Sequence, residues 1–360
     1  MVIAEMGVGG AERLVAELSL ALEEAGDFVA IAADSGPTDR LLEGSAVARR
    51  RLAGRGRNPW RLVRAARDVG RAAREFEPDL IHVHNVKATG IVAVARGLTR
   101  AQLPVLSTFH GVPRDRYRPA SLVLRGADVV ACVSADLAQG LMAAGFPAGR
   151  LRVVPNGIAD IAPLDPPTKE RLDSELELGE GPVVSIVGRL VPQKAHERFI
   201  RAAAIAADAE PSCRFLIIGD GPRRSELERL VDAMGLRDCV RFLGMRDDAR
   251  RLIARSDLLV FSSDWEGMPI TAIEAMAASV PVVSTDVEGM RELLGEEAGV
   301  IVPREVAGLA AAIIDLLRSP GERKRMGEAG RRRYTERYSL ARTIDSYRAL
   351  YAELVEGRSR

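Results

Sequence analysis

Apolar runs of three to five residues alternate with longer stretches of helical periodicity along nearly the whole chain. In the first half the runs are 2–5, 28–32, 80–84, 105–109, 129–133 and 152–155. In the second half they are 183–187, 215–218, 240–243, 258–261, 282–284 and 300–302. Helical patterns such as 11–24, 226–234 and 270–278 fall between them. The runs are apolar throughout rather than alternating, as strands buried on both faces are. Strands in strict alternation with helices predict parallel sheets flanked by helices. After Pro303 only helical patterns follow, ending with one over about 341–356.

A chain of 360 residues exceeds an ordinary single core, so two domains are expected. Residues 159–182 hold Pro163, Pro166, Pro167, Gly179, Gly181 and Pro182 among many charges and no strand pattern, which marks a linker. The expectation is therefore an α/β protein of two Rossmann-like, doubly wound domains facing a cleft. The first is 1–158, the second 183–340, and the final helix at 341–356 crosses back onto the first. Ligands of such sheets bind beyond the carboxyl ends of the strands. The first run leaves few residues before the turn at 6–10, short for a central strand, and so predicts that Met1 is internal to a longer natural chain.

Composition narrows the function. Hydrophobic residues make up 47% and charged residues 28%, the balance of a globular protein. Lys and Arg number 51 against 50 Asp and Glu, which argues against a nucleic-acid binder. No apolar run reaches the roughly 18 residues of a membrane span, and no basic segment precedes an apolar one at the start, so a cytoplasmic protein is expected. Cys132, Cys213 and Cys239 are odd in number and far apart, and read as packing residues.

The turns after the strands carry the chemistry. Gly7-Val8-Gly9-Gly10-Ala11-Glu12 opens a helix whose amides could face an anion, but Glu12 occupies the third glycine position of a dinucleotide fingerprint. Gly219-Asp220-Gly221 fails the same test at Arg224, and no G-x-x-x-x-G-K-[ST] is present, so hydride transfer and P-loop phosphoryl transfer are disfavoured. Gly188-Arg189-Leu190-Val191-Pro192-Gln193-Lys194 places a guanidinium and an ammonium after a strand, the pair that a departing diphosphate needs. Solvated loop cations are the plainer alternative. Next, Glu266-Gly267-Met268-Pro269-Ile270 leads into a helix, with Pro269 suited to the first helical position and Gly267 to close backbone approach. The amides there form an anion site. Glu274 is a lone acid in an apolar helix. Either it faces solvent or it is buried and takes hydrogen bonds from ligand hydroxyls.

Glu266 and Glu274, followed by Ala275-Met276-Ala277-Ala278 and Pro281-Val282-Val283, resemble the donor motif of the family-4 retaining glycosyltransferases (glycosyl transferases group 1), which have the GT-B fold. The resemblance runs through Gly9-Gly10-Ala11-Glu12-Arg13, Ile81-His82-Val83-His84, Thr108-Phe109-His110-Gly111, Val133-Ser134, Pro155-Asn156-Gly157-Ile158, Gly188-Arg189-Leu190 with Lys194, and Gly219-Asp220-Gly221-Pro222. It implies that Arg189, Lys194 and Gly188 meet the diphosphate of a nucleotide-sugar donor and that Glu274 holds the ribose hydroxyls. It further implies that Glu266 lies beside the sugar and that the amides of Gly267, Met268, Pro269 and Ile270 add anion contacts. Gly10 would line the diphosphate from the other domain, His110 would sit near the anomeric centre, and residues after Gly244 would pack near the base. The implied reaction is metal-independent hexosyl transfer with retention, from a UDP- or GDP-linked donor to a hydroxyl acceptor, in the synthesis of envelope polysaccharide or another glycoconjugate, with no cofactor. Ala195 and Ser279 stand where the family pattern has glycine, and Ala159 where it has aspartate.

On the acceptor side, ten arginines between Arg49 and Glu75 face only Asp68 and Glu75. From Asn58 the segment reads as a helix with Leu62, Val63, Ala66, Val69, Ala73 and Phe76 as its apolar stripe. Arg57, Arg61, Arg64, Arg71 and Arg74 fall largely elsewhere and would meet anionic lipid headgroups presenting a lipid-linked or sugar acceptor, making the protein peripheral to the inner membrane face. A plain solvated face is the alternative. His82 and His84 share one strand face and read as packing or acceptor contacts rather than metal ligands, because no Cys or acid completes a set. A nucleotide-sugar epimerase and a non-catalytic nucleotide-sugar-binding protein are the competing readings on the same fold.

Overall fold

The computed structural model describes residues 1–7, 9–52, 59–99 and 103–357. The chain divides into two compact units, one formed by Met1–Ala159 with Tyr338–Arg360 and the other by Asp160–Arg337. Each is a parallel sheet with helices between successive strands.

The first unit runs β1 (Val2–Glu5), α1 (Gly10–Glu24), β2 (Ala30–Asp34), β3 (Ala48–Arg51), α2 (Pro59–Phe76), β4 (Ile81–His84), α3 (Val86–Thr99), β5 (Val105–Phe109), α4 (Tyr117–Leu124), β6 (Val129–Cys132), α5 (Ala135–Ala143) and β7 (Leu151–Val153). Among the described residues the sheet order is β3-β2-β1-β4-β5-β6-β7, so the strand order reverses between β1 and β4. Central strands β4, β5 and β6 are buried at every position, including the polar His82, His84, Ser107 and Thr108, so neither face of these strands meets solvent. The core gathers Ile3, Val15, Leu18, Ile31 and Leu106.

In the second unit the elements are α6 (Pro166–Glu175), β8 (Val183–Val187), α7 (His196–Ala209), β9 (Arg214–Ile218), α8 (Arg224–Ala233), β10 (Val240–Gly244), α9 (Ala249–Arg255), β11 (Leu258–Phe261), α10 (Ile270–Ala277), β12 (Val282–Thr285), α11 (Met290–Leu294), β13 (Gly299–Val302), α12 (Val306–Arg318) and α13 (Pro320–Arg337). The order β10-β9-β8-β11-β12-β13 reverses between β8 and β11. Phe199, Phe215, Val260 and Ile313 anchor its core. The last helix, α14 (Leu340–Glu356), belongs to the first unit, where Tyr347 and Leu350 join the core.

Several expectations need correction. Residues 159–182 are not a featureless linker: α6 forms there, capped by Asp165, whose side chain accepts from the Thr168 amide at 2.7 Å. The two prolines open a helix rather than break one, and Leu172 and Leu178 are fully buried against Val183, Leu216 and Leu252. The second strand begins at Ala30, because Phe28 stands 70% exposed with its ring 6.2 Å from that of Phe76. An edge strand, β3, carries Arg49, Arg50 and Arg51 and pairs with β2. On α2 the buried positions are Ala65, Ala66, Val69, Gly70 and Ala72, whereas Leu62 is exposed beside Trp60, itself 79% exposed. Among the described residues no helix is long and apolar enough to cross a membrane.

Candidate active site

Parallel sheets gather ligand-binding loops where strand order reverses. In the second unit that point is flanked by the β8–α7 loop, 188–195, and the β11–α10 loop, 262–269. These are the loops that carry Lys194 and Glu266. The Lys194 ammonium donates to Glu266 Oε1 at 2.6 Å, and the Ser263 hydroxyl donates to the same oxygen at 2.6 Å. The side chains of Lys194 and Glu266 are 18% and 6% exposed, so this is a largely desolvated ion pair.

The loop bearing Glu266 is fixed carbonyl by carbonyl. Arg198 of α7 donates to the Ser262 carbonyl, and Thr285 at the end of β12 donates to that of Ser263 at 2.7 Å. Arg304, after β13, donates to Asp264 O at 2.9 Å, and Gln193 donates to Trp265 O at 3.0 Å. Four successive carbonyls are thus held by side chains from four segments. Gly289, at φ +78°, packs directly against the Gly267 carbonyl further along the loop: a Cβ there would lie 1.8 Å from Gly267 O. Gln193, Arg198, Thr285 and Arg304 escaped the sequence reading, since none differs in type from ordinary surface residues.

Gly188 accommodates the lysine. A Cβ on it would stand 3.2 Å from Lys194 Cε, and its amide donates to Ile218 O at 2.9 Å. Gly219, at φ +134°, lets the β9–α8 turn pass under Gly188. Arg189 is exposed and takes no part in the Lys194–Glu266 cluster. Gly267, Met268, Pro269 and Ile270 are all buried. Pro269 is the N-cap of α10 rather than its first helical residue, and no side chain caps the helix. Glu274 is 5% exposed, which removes the solvent-facing alternative. Its observed partner is a residue the sequence did not single out: Arg250 of α9 donates through Nε to Glu274 Oε1 at 2.8 Å.

The first unit carries the remaining candidates. Gly10 is the exposed first residue of α1. The Glu12 side chain folds back there, close enough that a Cβ on Gly9 would lie 2.3 Å from its Oε2. His110 follows β5, its Nε2 buried without a hydrogen-bond partner, and burial lowers its pKa to about 4. Its ring stacks 5.9 Å from that of His84, which in turn lies 4.0 Å from that of His82. His82 hydrogen-bonds to Tyr351 of α14 and to Thr108, both at 2.7 Å. These histidines form a packed row linking strands to α14. Among the described residues no group of three His, Cys, Asp or Glu is placed to hold a metal ion. Arg61, Arg64, Arg71 and Arg74 are exposed along α2, Arg71 within 3.4 Å of Asp68, while Arg57 lies outside the described residues. A cavity of about 760 Å³ opens at the other, amino-terminal ends of β1, β2 and β4, lined by Phe28, Val69, Phe76 and Tyr351 among others and by no residue of the candidate loops.

Comparison with known proteins covers both units. The Glycosyltransferase Family 4 profile matches residues 8–160, and the Glycosyl transferases group 1 profile matches 168–333. The alpha-D-kanosaminyltransferase of Streptomyces kanamyceticus is 34% identical over 181 residues, covering 49% of this chain and 47% of that relative. Matches to two further curated relatives span 22% and 64% of their lengths. The lipopolysaccharide core biosynthesis glycosyltransferase LpsD of Rhizobium meliloti is 28% identical over 352 residues, 95% of each chain. The crystal structure of Anabaena HepE in complex with UDP-glucose superposes with a TM-score of 0.86 at 23% identity, over 98% of this chain and 99% of that one. The chain belongs to the group 1, family-4 glycosyltransferases and has their GT-B fold of two Rossmann-like domains.

Proposed function

We propose that the protein transfers a hexose-type sugar from a UDP- or GDP-linked donor to a hydroxyl acceptor with retention of configuration. The observation that carries this reading is the desolvated Lys194–Glu266 pair, set on a rigid loop beside the uncapped start of α10 and the buried Glu274. Lys194 and the exposed Arg189 neutralise the diphosphate as its bond to the sugar breaks, and the amides from Gly267 to Ile270 add the positive end of the α10 dipole. Glu266 binds the sugar hydroxyls and Glu274 those of the ribose. The C1–O bond to the diphosphate breaks, a C1–O bond to the acceptor forms on the same face, and the acceptor proton passes to the departing phosphate oxygen. These two cations and the helix dipole supply the charge for which other transferases use a metal, so no cofactor is invoked. Gly10 and His110 enter the reading through the family pattern alone. UDP-glucose in the HepE crystal and the lipopolysaccharide assignment of LpsD agree with a nucleotide-sugar donor and an envelope acceptor.

The acceptor arrives from an anionic membrane surface. Arg61, Arg64, Arg71 and Arg74 are exposed along α2, next to the exposed Trp60. With its apolar face packed in the protein, this helix meets anionic headgroups through its outward arginines. Thermal-shift screening against UDP- and GDP-sugars, followed by turnover with the stabilising donor, tests the first claim, since a ligand of the native state raises the melting temperature. No shift and no donor hydrolysis with any of them overturns it. Co-sedimentation tests the second: binding to anionic vesicles no stronger than to neutral ones removes the membrane.

A further inference from the structure

Glu274 poses a charge problem that a neighbouring helix resolves. Its carboxyl is 5% exposed on α10, beside Ala272, Ile273, Ala275 and Met276, none of which has measurable exposure. In such surroundings a carboxyl favours its neutral form, which must donate a hydrogen bond as well as accept. A vicinal diol, however, is best held by an acceptor that takes a proton from each hydroxyl. Only the ionised form does so at both oxygens.

Arg250 meets that requirement. It lies on α9, after a different strand, and its Nε donates to Glu274 Oε1 at 2.8 Å. Its own side chain is 18% exposed, so water screens the contact little. A guanidinium stays charged at any working pH and so favours the carboxylate over the acid. A carboxylate offers about four acceptor positions, of which the Arg250 Nε–H takes one.

We propose that Arg250 is a positioning residue for donor recognition: it keeps Glu274 ionised and oriented so that the carboxylate accepts both hydroxyls of a ribose. This rests on the reading of Glu274 as the ribose ligand. Nucleoside affinity therefore depends on α9 as well as α10, through a residue that itself need not touch the nucleotide.

The test uses the full chain with Arg250→Met and Arg250→Lys, and calorimetric binding of UDP, GDP and their 2′,3′-dideoxy analogues. Charge-assisted hydrogen bonds make a wild-type loss of roughly 10- to 100-fold reasonable when the hydroxyls are removed. Arg250→Met should bind the ribonucleotide about 10-fold or more weakly yet bind the dideoxy analogue as wild type does, so its discrimination falls below about threefold. In that variant discrimination should return as pH is raised and the carboxyl ionises again, a readout that a purely structural tie would not move. In turnover, donor KM should rise with kcat within about threefold. Arg250→Lys should be intermediate, and it carries the same comparison should the methionine variant not fold. Wild-type discrimination at neutral pH in whichever variant folds overturns the proposal. Wild-type protein that binds a nucleotide but ignores its ribose hydroxyls removes the ribose role of Glu274, and the proposal with it. Failure of wild type to bind UDP or GDP at all overturns the donor reading itself.

Discussion

Replacing Lys194 by Met should cost stability as well as activity, and the two losses should separate in a double variant. Lys194 and Glu266 meet at 2.6 Å with side chains 18% and 6% exposed. Breaking a fully buried pair from one side costs about 3–5 kcal/mol, because the other charge is left desolvated. Here Ser263 remains on Glu266 Oε1 and the lysine end is partly wet, so about 2–3 kcal/mol is expected for Lys194→Met. For a unit of this size that is a fall of roughly 4–12 °C in Tm. Glu266→Gln should cost less, since a neutral amide stays within reach of both partners. The combined Lys194→Met/Glu266→Gln variant buries no uncompensated charge and should recover about 1–2 kcal/mol relative to the sum of the singles. Turnover should drop at least about a hundredfold in each single variant and should not recover in the double one. Urea unfolding followed by Trp265 fluorescence, in a Trp60→Phe background, measures the cycle, because the chain has two tryptophans and Trp265 adjoins Glu266. A coupling below about 0.5 kcal/mol refutes the claim that the two groups form a desolvated, energetically coupled pair. Restored turnover in the double variant refutes its catalytic role.

Three further outcomes follow from the same geometry. The pKa of His196 is lowered to about 3 by burial, Lys194 and Arg223, and that of His110 to about 4 by burial. Unfolded histidine binds a proton near pH 6.5 that these native residues refuse, so each leaves stability intact above that pH and subtracts from it below, by about 2 kcal/mol at pH 5, with the loss levelling off only below its native pKa. A urea midpoint unchanged between pH 7 and pH 5 contradicts this. Gly289→Ala puts a methyl 1.8 Å from Gly267 O at φ +78°, and should lose about 2 kcal/mol or more together with donor binding; wild-type Tm in that variant would show that the contact relaxes freely. Ser279 is exposed at φ +59°, in the left-handed region. Ser279→Gly relieves about 1–2 kcal/mol of backbone strain against about 0.4–1 kcal/mol of added unfolded-state entropy, so Tm should rise slightly. A fall in Tm by calorimetry would reverse the sign.

Legibility in the sequence tracked burial. Strands β5, β8 and β11 were readable to the residue because both their faces are covered, and the polar residues they hold, Ser107, Thr108 and Ser185, are small and set up no alternation. The edge strand β3 was invisible for the opposite reason: its arginines suit an edge and carry no apolar signal. Helix α6 hid behind Pro166 and Pro167, which serve equally as a breaker or as a helix start. On α2 the inward face is made largely of alanine; Ala66 and Val69 of the expected stripe are buried and Val63, Ala73 and Phe76 half-buried, and only Leu62 falls outside it. Ala195 and Ser279 stand where the family pattern has glycine, and both adopt the positive φ that glycine would take, so here the pattern carried backbone geometry that residue type alone did not.

The site divides along the same line. Lys194 and Glu274 stood out because each is a charge where its neighbours are apolar or turn-forming, and Glu266 through its place in the family pattern. Their pairing did not, since an ion pair spanning 72 residues leaves no local trace, and neither did Arg250, the partner of Glu274 from another helix. What the structure adds is the reason such a pair can persist without closing the site. Lys194 has three donors and spends one on Glu266 Oε1. The carboxylate sits on a loop whose four carbonyls are tied to separate segments, so it does not follow the ammonium if that moves. In the proposed reaction a phosphate oxygen can therefore take a second donor of Lys194 while the first still orients the lysine over Gly188. The ion pair then acts as preorganisation, with its geometry set before the donor arrives, rather than as a lock that the donor must break.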